Sequence, residues 1–497
     1  MKIKNGSRYE KNGWIHLSIK GNPKERGYAH GYLLVDEIKD VFKMLDYTFY
    51  EDYGFKREMF SEITSELFSP QIKQNFPDLY AEMEGITAGV NAAGFKSINL
   101  DDIIMWNCQS TIDSFYGDLS NLIKTNTKLE KKYGKLFIEG TSASSGHGEG
   151  GSQDKCSAFI AVGSYTQDRK IVCAHNSFDN FITGQHFNVV LDITPEKGNK
   201  IIMQAAPGYI SSQTDYYTTS SGLICTETTI GGFSKFVLKD PICCRIRAAM
   251  QYSKTLDDVV KYLTTNNSGD YANSWLIGDT KTNTIMRIEL GLDYVNVEKK
   301  KDGYFIGFNA PYDPRIRNLE CVNTGFDDLR RHQGARRVRL EQLMEQHKGK
   351  INIKIAQEVM ADHYDVYLNK INPSSRTCCG HYELDDRAFM SDPTRPKPYQ
   401  PRGAYDGIVS DTTLANKMAF SARWGASCGT PFDAKEFCKR NIIWKDQEPY
   451  LRDRPMQPWT DFVMMKNVMS KNLNNKTKKK EADIVKLKMT KKKKINL

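Results

Sequence analysis

The sequence predicts a layered α/β fold, a β-rich core flanked by helices, with an amino-terminal helical segment packed on it. Three observations predict it. Apolar residues recur at helical spacing through most of residues 1–140, a Gly/Ser-rich run follows at 141–155, and from 156 onward apolar runs of strand length succeed one another. The expected divisions are a helical segment at 1–140, a flexible linker at 141–155, the main domain at 156–465 and a Lys-rich disordered tail at 466–497.

Each element has its own signal. IHLSIKG (15–21) alternates apolar and polar residues, as a half-buried strand does. GNPKERGYAHGYLLVDEIKDVFKML (21–45) then shifts to helical spacing. FPDLYAEMEGITAGVNAAG (76–94) opens a second helix with Pro at its start, and LDDIIMWNCQSTID (100–113) reads as a third. The run TSASSGHGEGGSQDK (141–155) has no large apolar side chain with which to bury itself, so an exposed linker is expected. CSAFIAVGSY and RKIVCAHN, joined by the polar turn TQD, read as a hairpin. HFNVVLDIT, NKIIMQAA and SGLICTETTI continue the strand pattern. Asp240-Pro241 opens a helix through about Thr264, with Asp placed to cap and Pro in the first turn. NSWLIGD and NTIMRIELGL return to strands. Helices are expected near 326–347 and 353–363, and a long irregular part rich in Pro, Gly and Arg follows them.

Charge is unevenly placed. The chain carries +10, but Lys471–Leu497 holds eleven lysines against Glu481 and Asp483, a net of +9. The body is therefore close to neutral, which argues against a nucleic-acid groove built into the fold, so no nucleic acid is expected on the folded body. The tail can make weak contact with an anionic surface, or be only a solvated extension. The opening residues lack the apolar core of a signal peptide and no run of about 18 apolar residues occurs, so a cytoplasmic or otherwise non-secreted protein is expected. Eleven cysteines are scattered without a CxxC pair, which speaks against a disulfide scaffold or a zinc ribbon. Cys378-Cys379-Gly380-His381 is not taken as a metal site, because adjacent cysteines do not easily turn toward one ion.

Cys156 carries the chemistry. It is the first residue after the linker and the first of a strand. A cut between Lys155 and Cys156 would free its α-amine, whose unperturbed pKa of about 7.7–8.0 suits a base at neutral pH. One residue could then hold both nucleophile and base, with fixed donors needed for the oxyanion. Taken alone, a cysteine there is more often a small core residue, and the linker a plain surface loop.

Several stretches resemble the phospholipase B-like and penicillin-acyltransferase-like group of N-terminal-nucleophile hydrolases. They are KCSAFIAVGSYTQDRKIVCAHNSFDNF, APGYISSQTDYYTTSSGLICTETTI and NNSGDYANSWLIGD, preceded by GNPKERGYAHGYLL and EMEGITAGVNAAG and followed by PSSRTCCGH and GTPFDAKEF. The resemblance spans about residues 14–462. It implies an α+β, four-layer αββα sandwich, self-cleavage between Lys155 and Cys156, and attack on an acyl amide or acyl ester through a Cys156 thioester. It assigns His175 and Asn176 to the second hairpin strand, facing the nucleophile, and Asn273 to oxyanion donation or orientation of the sulfur. Asp179, Glu227 and Thr228 line the substrate side. Asp179 stands one residue later than the family's aspartate, and Lys155 replaces the Gly or Asn that many relatives carry before the cut. Read as residues alone, His175 could equally hold a loop carbonyl, Asn176 and Asn273 could hold turns, and Asp179, Asp406, Asp411 and Arg423 could be structural. No cofactor or metal is called for. The expected partner is a small acyl amide or lipid, and a homo-oligomer is left open. The second class of function is an uncleaved, catalytically silent relative that binds a ligand or partner.

Overall fold

The computed structural model describes residues 1–136, 156–386, 388 and 397–465. The expected linker, the Lys155 side of the junction and the Lys-rich tail fall outside the described residues.

Eighteen strands are described. Those before the linker are β1 (Lys2–Ile3), β2 (Gly6–Lys11) and β3 (Trp14–Gly21). The hairpin is β4 (Cys156–Val162) and β5 (Val172–Asn180). Then come β6 (Val189–Pro195), β7 (Ile201–Ala205), β8 (Tyr217–Thr219) and β9 (Leu223–Thr229). β10 (Asn273–Asp279), β11 (Thr284–Leu290), β12 (Val295–Lys300) and β13 (Gly303–Gly307) follow. The last are β14 (Tyr364–Asp365), β15 (Lys370–Ile371), β16 (Arg402–Asp411), β17 (Ala419–Trp424) and β18 (Thr460–Val463).

They form a ten-stranded sheet in the order β1-β2-β3-β6-β7-β8-β9-β10-β11-β12, a six-stranded sheet in the order β13-β4-β5-β16-β17-β18, and the small pair β14-β15. The amino-terminal segment is thus more than helical, since it contributes three strands to the larger sheet. β3 lies parallel to β6, from Ile15 opposite Val189 to Gly21 opposite Pro195.

Alternation along β4 places the layers. Ala158, Ile160 and Val162 join the large core between the sheets, whereas Phe159 and Ala161 join Leu340, Leu343, Met344, Val359 and Met360. Those five residues come from the helices His332–Gln346 and Ile353–Met360, which cover the outer face of the smaller sheet. Helices Ile242–Tyr252 and Leu256–Thr264 rest on the larger sheet. The layer order is therefore αββα.

The amino-terminal helices pack through a glycine seam. Helix Pro23–Leu33 lies against helix Pro77–Ala92, with Gly27 and Gly31 facing Gly85 and Gly89. A Cβ on Gly31 would stand 2.0 Å from the Ile86 carbonyl oxygen, and one on Gly89 2.2 Å from that of Tyr28. Only glycine lets the two backbones approach this closely.

Some element boundaries differ from expectation. The run 21–45 breaks at Leu34 into Pro23–Leu33 and Val35–Tyr53, and 100–113 breaks at Cys108 into Leu100–Asn107 and Gln109–Phe115. The helix expected from Asp240 is broken between Tyr252 and Leu256. Asp240 is not its cap: the Ile242 N–H donates to Asp270 Oδ2 at 2.7 Å, while Asp240 accepts from Asn75 and Asn266. The Pro-, Gly- and Arg-rich part after 363 holds β16, β17 and β18, half of the smaller sheet.

Candidate active site

Cys156 is the first residue of β4 and is buried at 2% exposure. Its parity with Ala158 turns its side chain to the layer between the sheets, and Ser177 of β5 lies directly opposite. The sulfur is 3.7 Å from Glu227 Oε1. Sγ, a His175 ring nitrogen and a Glu227 carboxyl oxygen all lie within 4.8 Å of one another.

Burial governs the charge of this group. Glu227 is fully buried, and its carboxyl is pushed well above the ordinary range, first by lost hydration and then by Asp215 beside it. Both favour its neutral, protonated form. The Tyr271 hydroxyl donates to Oε1 at 3.2 Å, and with the Asn273 amide oriented as its neighbours require, nitrogen toward the two acceptors, it donates to Oε2 at 3.0 Å and to Ala272 O at 2.8 Å. Burial lowers His175 to about 3, so its imidazole is neutral. Its Nδ1 meets Ser177 Oγ at 3.2 Å, and its Nε2 has no hydrogen-bond partner among the described residues.

The backbone nitrogen of Cys156 has a dedicated acceptor. Its N–H donates to Asn309 Oδ1 at 3.2 Å. Asn309 is fixed in turn, because Nδ2 donates to Thr229 O at 2.8 Å and Oδ1 also accepts Arg336 Nη2 at 2.8 Å. Its φ of 67° is one that Asn tolerates better than most side chains.

A family model described as Phospholipase B matches residues 8–451. The chain belongs to the phospholipase B family. Phospholipase-B 81 of Drysdalia coronoides is 24% identical over 485 residues, covering 84% of this chain and 81% of that relative. Human phospholipase B-like 1 is 24% identical over 291 residues, covering 53% of this chain and 50% of its own. Among solved structures, a mutant conjugated bile acid hydrolase from Clostridium perfringens aligns at 11% identity and a TM-score of 0.32, over 54% of this chain and 89% of that one. Family membership supports a hydrolase. No helix among the described residues is long and apolar enough to cross a membrane.

The other expected residues of this phospholipase B family chain divide by position. Asn176 does not face Cys156. It has the parity of Ser157, on the opposite face of the sheet, and its Nδ2 donates to Met360 O at 2.6 Å and Cys378 O at 2.9 Å. Strand pleating is the reason, since neighbours on a strand point opposite ways and only His175 can share the face of Ala158. Asp179 returns to the face of Cys156 but lies farther along β5, accepting the Asn180 N–H at 2.7 Å with Arg402 at 3.9 Å. Thr228 abuts the smaller sheet, where a Cβ on Gly307 would stand 2.4 Å from its Cγ2. Asp411 caps the short helix Thr412–Asn416, and Arg423 donates to Ser427 O at 2.7 Å.

Sequence reasoning missed Asn309 and Arg336, and read Asp406 only as a structural position. Arg336 is wholly buried and donates to the Cys156 carbonyl oxygen and, at 3.2 Å, to Ser157 Oγ. It sits among four other arginines at 330–339, and no sequence signal separates it from its neighbours. Asp406 lies opposite Ser177 on β16, in one row with Cys156, and accepts the Ser177 N–H at 3.3 Å. Burial raises it to about 7.

Proposed function

We propose that the protein is a self-processed hydrolase that cleaves an acyl ester or acyl amide through a thioester on Cys156. The reading rests on one observation: the Cys156 sulfur is held beside Glu227 and His175 while the backbone nitrogen of the same residue is held by the Asn309 side chain. A core cysteine does not need a carboxyl and an imidazole beside its sulfur.

In the first step the Cys156 thiol attacks the Lys155 carbonyl carbon. The C–N bond breaks, the thiol proton passes to the leaving nitrogen, and residues 1–155 are held as a thioester. Water then cleaves that ester and leaves a free α-amine on Cys156. In turnover this amine takes the thiol proton as Sγ attacks the substrate carbonyl, and it returns the proton to the departing alcohol or amine. Water, deprotonated by the same amine, releases the acid. Asn309 keeps the amine beside the sulfur through both halves, and Arg336 keeps Asn309 in place. Asn273 supports the sulfur indirectly, through Glu227, because both of its N–H groups are engaged by Ala272 O and Glu227.

The family relationship favours a phospholipid or another fatty-acyl ester, and N-acyl amides are the alternative substrate class. Intact mass and amino-terminal sequencing provide the test. The protein is expected to yield a large fragment beginning at Cys156, and Cys156→Ala to remain one chain without activity on mixed phospholipid micelles or on N-acyl amides. A wild-type protein that stays full length and inert to thiol-directed acyl probes would instead be a silent, ligand-binding relative.

A further inference from the structure

A second constellation of reactive side chains lies on the far side of the smaller sheet. His363, Cys379, His381 and Cys428 bring one ligand atom each to a single point, all within 4.8 Å of one another. His363 Nε2 is 3.1 Å from His381 Nε2, and the sulfurs of Cys379 and Cys428 lie 3.3 and 3.4 Å from the same nitrogen. Four ligands around zinc, at about 2.3 Å for sulfur and 2.0–2.1 Å for nitrogen, stand roughly 3.3–3.7 Å apart at tetrahedral angles. The cluster is close to that spacing.

The surroundings fit a metal as well. His381 Nδ1 is 2.7 Å from Glu383 Oε1, so Nδ1–H donates to the carboxylate and Nε2 is left with its lone pair for a metal. The Thr430 N–H points at Cys428 Sγ from 3.4 Å, as backbone donors do toward a ligating thiolate. Cys379 and His381 are fully buried, while His363 and Cys428 are partly exposed, which gives an ion a way in. Cys378 takes no part, because its side chain joins the apolar cluster under helix Ile353–Met360. Adjacent cysteines do diverge here, and the second thiolate comes from a turn 49 residues downstream of Cys379.

We infer that His363, Cys379, His381 and Cys428 form a closed, tetrahedral Cys2His2 site for a structural zinc ion. Two sulfurs and two imidazoles select zinc over harder cations, and a full ligand set leaves no position for catalysis. Binding displaces the two thiol protons, and two thiolates balance the charge of the ion.

The site joins three segments distant in sequence, and each also supports Asn176. Met360, whose carbonyl accepts Asn176, stands three residues before His363. Cys378, the second acceptor, precedes Cys379, and Ser427, which donates to Asn176 Oδ1, precedes Cys428. An ion here clamps the backing of β5 at the residue after His175.

Metal content of the full-length protein, produced in zinc-supplemented medium and desalted, tests the inference. About one zinc per chain is expected, falling at least tenfold in Cys428→Ala and staying at about one in Cys438→Ala and Cys156→Ala. Loss of the ion in Cys156→Ala would move it to the Cys156, His175 and Glu227 cluster and overturn the assignment. Cobalt exchange into the wild-type protein does not depend on a variant folding. It should give the visible bands of tetrahedral cobalt with sulfur-to-metal charge transfer. A metal-free protein that also takes up no cobalt, or one whose non-reduced mass is lower by two hydrogens through a Cys379–Cys428 disulfide, overturns it as well.

Discussion

Asn309→Asp tests the amine of Cys156 by placing a charge beside it, while exchanging the Nδ2 donor to Thr229 O for an oxygen. The change is isosteric and keeps an oxygen on the Cys156 nitrogen, which lies 3.2 Å from Oδ1. It places a negative charge beside a group that must be unprotonated to act as base. An opposite charge within about 4–6 Å raises an amine pKa by about 1–3 units. Arg336 Nη2, 2.8 Å from the same oxygen, shares that charge, so the lower end, about one unit, is expected. From a starting pKa of about 7.7–8.0, the free-base fraction at pH 7 falls about tenfold. The sign follows, since a higher amine pKa means the base is released only at higher pH. The acidic limb of the rate profile moves upward by about one unit, and the plateau at high pH returns toward the wild-type rate. Asn309→Leu, which removes the acceptor without adding charge, should lower the rate at every pH and leave the limb in place. The assay is a pH–rate profile with a chromogenic acyl ester, on protein whose new amino terminus has been verified. Identical limb positions in the Asp and Leu variants would falsify the role given to the amine.

Asp406→Asn should remove a pH dependence of stability. Burial raises Asp406 to about 7, so the folded protein keeps between about pH 4 and pH 7 a proton that the unfolded chain gives up. Stability then falls as pH rises through that window, by up to about 4 kcal/mol for a shift of about three units. Urea unfolding at pH 4, 5.5 and 7 should show the wild type losing ground against the Asn variant, and parallel curves would remove Asp406 from consideration. The buried histidines at 30, 175 and 186, all lowered by desolvation, act in the opposite direction but equally in both proteins. Burial favours the neutral form of Glu227, so Glu227→Gln, which retains a hydrogen-bonding side chain at the sulfur, should hold activity within about tenfold, whereas Glu227→Ala leaves Tyr271 and Asn273 without their acceptor and should cost about a hundredfold or more. Steady-state rates on one substrate check this, and equal losses in the two variants would assign Glu227 a charged role. Gly31→Ala drives a methyl against the Ile86 carbonyl and should lower unfolding stability by about 1–3 kcal/mol or more, read from the denaturant midpoint. An unchanged midpoint would mean that the helix seam yields without cost.

Unbroken apolar runs reveal strands buried on both faces, and helical spacing reveals a helix with one buried face. The hairpin at Cys156 and the strands from Val189 to Leu290 carry the first signal, and the helix Pro77–Ala92 the second. β16 carries neither. Arg402, Gly403, Asp406 and Gly407 interrupt its apolar run, because it lies in the middle of the smaller sheet and lends polar atoms to the site row. The amino-terminal segment reads as helix after one strand because β2, Gly6–Lys11, is polar and has no buried residue to pattern it. Within the site, Cys156 is legible because the linker ends there, and Glu227 because it belongs to a recognisable stretch. Asn309 and Arg336 are not, since a buried Asn at positive φ and one arginine among many differ from surface residues only through contacts 153 and 180 residues away. The ligand quartet stays hidden for the same reason, its fourth member standing 47 residues beyond His381.

The parallel pairing of β3 with β6 has a consequence for any cut between residues 137 and 155. Scission there would yield two polypeptides but not two separable bodies, because residues 2–21 remain three rungs of a ladder whose other rungs belong to the downstream chain. The pieces should co-elute in native buffer and part only when the ladder itself melts. Supplied as independent chains, 1–136 and 156–497 have every reason to find each other, since neither can complete the larger sheet alone.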